Sequence, residues 1–379
     1  MGAPTQYYVD PSIAGDSGAG TSGDPYGDLQ YALDQVGTSP GRDATNGDRF
    51  NIKAGTDEVM SSGISLATYG GPSATAPLIF QGYTTTAGDG GIGGVSGGGS
   101  STIINASGTS YVHFLDLHCH NTGSNIILRL NTYSSVQRCE IDNCTSNGIQ
   151  YGAQCLISDC NIHNISAVGV LLTGTSIIKN CYFTNGANDF SDCINLPLNA
   201  VAYRNILSID GATNGIELTS VTGRMINNSI ISSGGTGTGL LFGGVDAEQA
   251  IVDGNLIEGF SGVGGIAADF ASSARPIAFH GHNGYYNNTT NEANASDSIL
   301  IPTGTNESLG ASPFDKSGSD TFANRFTYFA PVDTGNVHGG AYPSGSRVDK
   351  GAVQHADPAG GGGGGFIDGI QRIESGLNL

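Results

Sequence analysis

The feature that most constrains this chain is a column of like residues recurring every 21 to 27 positions: Leu117, Cys139, Cys160, Cys181, Asn205, Asn228 and Asn255. Three positions before each anchor stand Phe114, Val136, Ile157, Ile178, Ala202, Met225 and Val252. Two positions after stand Cys119, Ile141, Ile162, Phe183, Leu207, Ile230 and Ile257. A second column, usually after a glycine, runs Ile127, Ile149, Val170, Ile194, Ile216, Leu240 and Ile266. Each apolar run is three to five residues long, rich in Ile and Val, and bounded by Gly, Asn, Ser or Thr, which is strand and turn chemistry. A repeat of this size cannot bury its own apolar faces, but copies stacked as parallel strands can. Seven such coils would rise about 34 Å at the parallel-strand spacing of ~4.8 Å. The anchors are expected at a tight bend, where Asn tolerates unusual backbone angles and exchanges amide hydrogen bonds with its counterparts along the stack. Cys139, Cys160 and Cys181 are expected to form a reduced thiol stack in the same ladder as Asn205, Asn228 and Asn255, with a redox or metal role as the alternative.

Composition agrees with a solenoid and excludes other classes. Glycine supplies 61 of 379 residues, about 16% and roughly twice the usual share, without the every-third register of collagen. Charged residues make up only 12%, too few for a helical bundle. A disordered acidic chain would lack the Ile, Val, Leu and Phe present here. The 33 acids against 14 bases give a net charge of −19, which disfavours nucleic acid and anionic membranes as partners. No apolar run is long enough to span a bilayer, and Met1-Gly2-Ala3-Pro4 is not a secretory start, so synthesis in a cytoplasm is expected. Seven cysteines, an odd number without a CxxC pair, argue against a disulfide framework or a zinc site.

The repeated apolar-x-x-(Asn/Cys)-x-apolar pattern and the Gly-Ile strand starts resemble those of the right-handed parallel β-helix proteins, the pectin-lyase-like superfamily. Tyr7-Tyr8-Val9-Asp10-Pro11, a Gly/Asp/Ser loop, a helix and then Phe50-Asn51-Ile52-Lys53-Ala54-Gly55-Thr56 are similar to that group's beginning, and the likeness covers about residues 5 to 357. It implies an all-β solenoid. Function is left open, because that fold hosts lyases, hydrolases, adhesins and phage spikes.

The expected organisation is an N-terminal cap over residues 1–49, a parallel β-helix over 50–274, irregular final coils and a C-terminal cap over 275–357, a Gly linker over 358–365 and an apolar peptide over 366–379. Asp24-Pro25 is read as opening a short helix through Val36, with Asp24 as N-cap and Gly37 as the stop. Its apolar face would cover the open edge of the first coil. Gly88 to Ser101 reads as a loop, and Phe322, Phe326, Tyr328 and Phe329 as part of the C-terminal cap or a sugar-stacking surface. Beyond the linker, Phe366, Ile370, Ile373 and Leu377 form one helical stripe, with Ile367 beside it. Fourteen residues beyond a glycine tether do not hold a helix alone, so this peptide is expected to dock, on a protein partner or on its own β-helix.

Candidate chemistry is sparse. Asp189 and Asp192, in a lengthened coil one turn after His163, are the nearest approach to a hydrolase carboxylate pair; a solvated turn is the plainer reading, and no catalytic residue is favoured. Arg138 and Asp159 should form an exposed ion pair on adjacent coils, with Arg204 in the same column. His118 and His120 flank Cys119 and face outward, as a surface ladder or, with His113, as metal ligands. His280-Gly281-His282 lacks a third ligand nearby. Asp16 and Asp24 are candidates for calcium, though their spacing matches no EF-hand, and neither a cofactor nor a metal is expected.

Two function classes follow. The first is a structural or recognition protein of a viral particle, a phage spike or decoration protein displayed on the virion and anchored through residues 366–379, a class compatible with binding a surface glycan and with assembly as a homotrimer. The second is a polysaccharide lyase or glycoside hydrolase, on the virion or extracellular.

Overall fold

A computed structural model describes residues 2–316, apart from 38–41, 61, 67–68, 70, 98–101, 122, 124, 186–189, 212, 220–221, 243–247, 271–276, 295–297, 301–305 and 315. The expected C-terminal cap beyond 316, its aromatic cluster, the glycine linker and the docking peptide lie outside the described residues. Contacts divide the chain into an N-terminal unit through Ser176 and a C-terminal unit from Ile177 on. Both are right-handed parallel β-helices, and the fold is all-β apart from one helix.

In the N-terminal unit three parallel sheets run side by side. The first holds Thr5–Val9, Asp48–Lys53, Leu78–Tyr83, Val112–Leu115, Ser135–Gln137 and Leu156–Ser158. The second begins at Ile64–Ser65 and ends at Val168–Leu171; the third runs from Glu58–Met60 to Asn161–Ile165. The C-terminal unit repeats the plan, its first sheet starting at Ile177–Lys179, its second at Asp192–Leu196 and its third at Tyr182–Thr184. Register follows the repeat: Val136 pairs with Phe114 and Ile157, and Ile141 with Cys119 and Ile162. Inward residues therefore stack on like residues, as in the Phe50, Phe80 and Phe114 rings, whose centroids are 5.8 and 5.4 Å apart. In the second column two positions shift: Ile149 pairs with Leu128, one past Ile127, and Leu240 with Ala268, two past Ile266. Buried apolar residues flank both sites, so the pattern alone left the register ambiguous.

The bend at the anchors differs from the expectation. The left-handed residue is the one before each anchor: Asp116, Arg138 and Asp159 in the N-terminal unit, and Asn180, Arg204, Asn227, Gly254 and His282 in the C-terminal unit. The anchor itself turns inward and is buried. Each anchor Asn then satisfies three groups at once. Asn228 Nδ2 donates to Ala202 O at 3.1 Å and to Asn255 Oδ1 at 3.0 Å, while its own Oδ1 accepts from Asn205 N at 3.0 Å. The ladder continues through Asn255, Asn283 and Asn306, and Cys181 N heads it by donating to Asn205 Oδ1. In the N-terminal unit a thiol takes the amide's place. Cys139 Sγ donates to Phe114 O at 3.6 Å and Cys160 Sγ to Val136 O at 3.5 Å, the same carbonyl position that Asn228 caps. Cys139 and Cys160 also hydrogen-bond one another, and all seven cysteines are free and buried.

At the N-terminus the helix is Leu29–Gly37, not Asp24 onward. Asp28 is its N-cap, with Oδ1 accepting from Tyr31 N at 2.6 Å. Asp24 instead closes a tight turn with Thr21, and Tyr26 bridges to the first strand, Tyr26 N donating to Tyr8 O and Asp10 N to Tyr26 O. Those bonds cover the free edge of Thr5–Val9. Leu29, Ala32, Leu33 and Val36 are buried beneath the helix. The Leu29 N–H and the Asp28 carboxyl both bond to Glu58, a residue only 4% exposed. Burial, with the charge of Asp28 adding to it, pushes Glu58 up to about 7 under the helix. Gly93–Gly97, expected as loop, is a buried strand. A Cβ at Gly94 would stand 1.8 Å from Asp57 Oδ1, and one at Gly93 2.6 Å from Ile52 O, so glycine here reflects close approach.

In the C-terminal unit, regular strands run on past residue 274, through Ile277–Gly281 and Gly284–Tyr286 to Glu307–Ser308. The chain then folds over the outside of the third sheet, where Phe314 and Leu309 pack on Tyr182, Ile206, Ile231 and Leu256. Glu258 is buried beneath this strap, bonded to Ser312 and Lys316.

Asn228→Ala strips Asn205 N of its acceptor and removes the amide bonds to Ala202 O and Asn255 Oδ1, the latter keeping only the backbone N–H of residue 228, so denaturant unfolding should register a loss of about 2–4 kcal/mol. Glu58 titrates higher folded than its ordinary 4.5, so its contribution is complete below that value and disappears as pH rises through about 7. Unfolding followed between pH 5 and 8 should show a decline on the order of 2 kcal/mol, flattened in Glu58→Gln, whose amide still donates to Asp28.

Candidate functional site

Three outward surfaces carry the polar side chains that packing does not absorb. The first is the third sheet of the N-terminal unit. Alternation places His118 and His120 outward on Leu117–Asn121, Glu140 and Asp142 on the next strand, and Asn161 and His163 on the one after. The hydrogen bonds run diagonally between coils: His118 Nε2 to Asp142 Oδ1 and His163 Nε2 to Glu140 Oε1, both at 2.9 Å. His120 Nε2 reaches Asp57 Oδ2 at 2.8 Å, and its ring stacks on His118 with centroids 4.8 Å apart. The bond to Asp142 holds His118 above the usual imidazole range, and the bond from His163 holds Glu140 below the usual carboxylate range. His113 lies on the first sheet, bonded to Ser135 Oγ, and burial drives it down to about 4, so it does not join His118 and His120. This is a histidine–carboxylate ladder, and among the described residues no group is placed to hold a metal ion. Glu140, Asp142 and Asp57 escape a sequence reading, because their positions opposite the histidines appear only once the register is known.

The second surface is the second sheet of the C-terminal unit and contains Asp192. Asn214, opposite Asp192, donates through Nδ2 to Asp192 Oδ1 at 3.0 Å. Asn195, opposite Glu217, donates to Glu217 Oε2 at 2.7 Å and accepts from Thr219 Oγ1 at 2.9 Å. The outward column continues through Leu241 to Asp269, whose Oδ1 accepts from Asn294. Burial, with the Asp192 charge adding to it, pushes Glu217 above the usual carboxylate range despite the Asn195 amide. The sequence-expected partner, Asp189, lies outside the described residues; the acid that the fold brings to Asp192 is Glu217, 25 residues on.

The third surface is the turn from the second to the first sheet in the N-terminal unit. Tyr111, Tyr133 and Tyr151 adopt left-handed backbone there, with φ of 58, 61 and 61°. For a bulky side chain this costs on the order of 1–3 kcal/mol each. Tyr111 and Tyr133 stack, with centroids 4.8 Å apart and planes at 12°, a contact contributing about 0.5–1.5 kcal/mol. Tyr151 is 41% exposed, with the Arg129 guanidinium 5.1 Å from its ring centre, and such a contact contributes about 0.5–1 kcal/mol. These contacts do not offset three strained backbones.

Other sequence candidates resolve structurally. Arg138 makes a two-pronged pair with Asp116, at 2.7 and 2.8 Å, and the charge of the expected partner Asp159 acts on it as well. Asp116 is buried on the preceding coil, where the left-handed bend aims it at the guanidinium. Arg204 lies over the Tyr203 ring at 5.2 Å. His282 Nδ1 bonds Asp253 Oδ1 at 2.8 Å, whereas His280 turns inward to Asn306, so the two do not converge. Asp24 is part of its turn with Thr21 and does not gather a calcium shell with Asp16. No described helix is long and apolar enough to cross a membrane.

The sequence matches no protein-family profile and no characterised protein sequence. Solved structures do match. The chain aligns with pectate lyase Pel9A over 94% of its length and 98% of that protein, with a TM-score of 0.61 and 12% identity. A mutant tailspike protein of E. coli bacteriophage HK620 in complex with a pentasaccharide aligns over 72% of this chain and 60% of the tailspike, at TM-score 0.43 and 12% identity. A pectin methylesterase from Aspergillus niger covers 88% of this chain and 99% of its own, at TM-score 0.37 and 14% identity. At such identities the Pel9A likeness establishes the parallel β-helix fold and nothing about activity.

Asp142→Asn removes the charge that holds His118 up. NMR titration should place the His118 midpoint above 6.5 in the unmodified chain and lower it in the variant.

Proposed function

We propose that this protein is a structural recognition component of a surface assembly, a phage particle in the reading we favour, whose β-helix binds a surface glycan. The observation that carries the reading is the Asp192, Asn195, Asn214, Glu217 and Thr219 face. It offers carboxylate and amide groups on a rigid scaffold, in rows set by the ~4.8 Å coil spacing. Such groups accept from and donate to adjacent sugar hydroxyls, and the coil spacing is comparable to the length of one pyranose ring. The net charge of −19 favours a neutral or weakly charged glycan over a polyanion. Assembly would be served by the tail, where Phe366, Ile367, Ile370, Ile373 and Leu377 beyond six glycines make a tethered apolar peptide suited to a protein partner. A homotrimer displayed on the virion, made in the host cytoplasm, fits this arrangement.

A second reading, hydrolysis, is favoured by one feature: Glu217 is pushed up beside Asp192, as a general acid needs. In that reading Glu217 gives its proton to the glycosidic oxygen while Asp192 takes one from the attacking water. The two readings separate on immobilised bacterial surface polysaccharides. Recognition predicts retention without release of reducing ends, weakened about tenfold in Glu217→Gln and Asp192→Asn. Retention by no polysaccharide contradicts it. Reducing-end release abolished by Glu217→Gln would instead establish the hydrolase.

A further inference from the structure

Tyr111, Tyr133 and Tyr151 hold backbone conformations that tyrosine does not favour, on a turn where Asn or Gly would sit without strain. Among the described residues, the other left-handed positions are filled by Gly, Asn and Asp or by long polar side chains such as Arg138 and Gln154, and Tyr is the one aromatic hydrocarbon ring placed there. The three tyrosines belong to one ridge. Tyr111 N donates to Thr132 O at 3.2 Å and Tyr133 N to Ala153 O at 3.1 Å, so the stacked pair sits on neighbouring coils. Tyr151 begins the same turn one coil further on, where its N–H donates to Leu171 O at 2.7 Å. None of the three rings is among the buried residues, so the core does not hold them in place. Arg129, on the coil before, brings its guanidinium over Tyr151, and its Nε is enclosed without a hydrogen-bond partner. Tyrosine kept on strained backbone where packing does not demand it, with a guanidinium brought over the exposed Tyr151 ring, points to an external ligand.

We propose that Tyr111, Tyr133, Tyr151 and Arg129 form a sugar-stacking subsite, in which a pyranose lays its C–H face against tyrosine while Arg129 donates to a ring substituent. The proposal rests on the glycan-recognition reading and adds a second contact surface, in the N-terminal unit. A protein partner is the less suited occupant, because the ridge is built from Asn131, Thr132, Gly152, Thr173 and Gly174 and presents no apolar patch around the rings.

The chain contains no tryptophan, so tyrosine emission reports these rings without a dominant competitor. The experiment combines that emission, thermal unfolding and retention on the immobilised polysaccharide panel, comparing the unmodified chain with Tyr133→Asn and Tyr151→Asn. Asn suits left-handed backbone, so each variant should fold with Tm unchanged or raised by about 2–4 °C. Each should also lose at least tenfold in retention on the polysaccharide that holds the unmodified chain, and that polysaccharide should change the tyrosine emission of the unmodified chain. Loss of retention together with a maintained or raised Tm supports the subsite, since a purely structural tyrosine would lower Tm when replaced. A glycan that holds both variants as tightly as the unmodified chain overturns it and leaves the recognition reading standing. A lowered Tm in both variants also overturns it. An unmodified chain that no polysaccharide retains removes both proposals together.

Discussion

The structure depends on what happens at one bend in every coil. A residue in left-handed backbone turns the chain from the first sheet into the third, and the next side chain points inward to join the carbonyl of the coil before. Parallel strands leave their ladder groups satisfied along the strand but not at the corner. In the C-terminal unit an Asn closes the corner with two donors and one acceptor. In the N-terminal unit a Cys does the same with weaker bonds, its S–H toward the carbonyl and its sulfur toward the N–H of the preceding anchor, as Cys139 does with Phe114 O and Leu117 N. Once the corner is closed, register is set for all three sheets. Everything outward is then a column whose members sit on successive coils.

That consequence organises the surface chemistry. Residues more than twenty positions apart become neighbours: His118 and Asp142, Asn195 and Glu217, Tyr111 and Tyr133. A rigid array of this kind suits an extended repeating ligand better than a small molecule enclosed in a pocket. The same rigidity allows strained tyrosines and partly buried acids to persist, because the corner bonds and the stacked core over-determine the backbone around them. At the N-terminal end, the helix over Glu58 and the Tyr26 bridge close edges that would otherwise pair with another chain.

The architecture was legible in the sequence because a solenoid repeats its core in the primary structure. Leu117 through Asn255 mark the inward corner residue, and the flanking Ile and Val columns mark the strands. Errors arose where a local signal competed with a tertiary one. Asp24-Pro25 is a good helix start, yet strand pairing by Tyr26 claims that segment, and Asp28 caps the helix instead. The glycines of Gly93–Gly97 look like loop but are small because Asp57 and Ile52 lie against them. The candidate site was harder to read. Asp192 could be picked out, but Glu217 could not, since its relation to Asp192 requires the register of a lengthened coil. The strained tyrosines had no sequence signature, because left-handed tyrosine violates the residue preferences on which turn reading rests.

The corner ladder is tested most directly by double-mutant cycles in the C-terminal unit, using denaturant unfolding of Asn228→Ala with Asn255→Ala, and of Asn228→Ala with Asn306→Ala. Neighbouring rungs share a hydrogen bond and should couple by about 1 kcal/mol or more, whereas rungs three coils apart should be additive within about 0.5 kcal/mol. Additivity for Asn228 with Asn255 would mean that these side chains do not meet, and the in-register stack would be wrong.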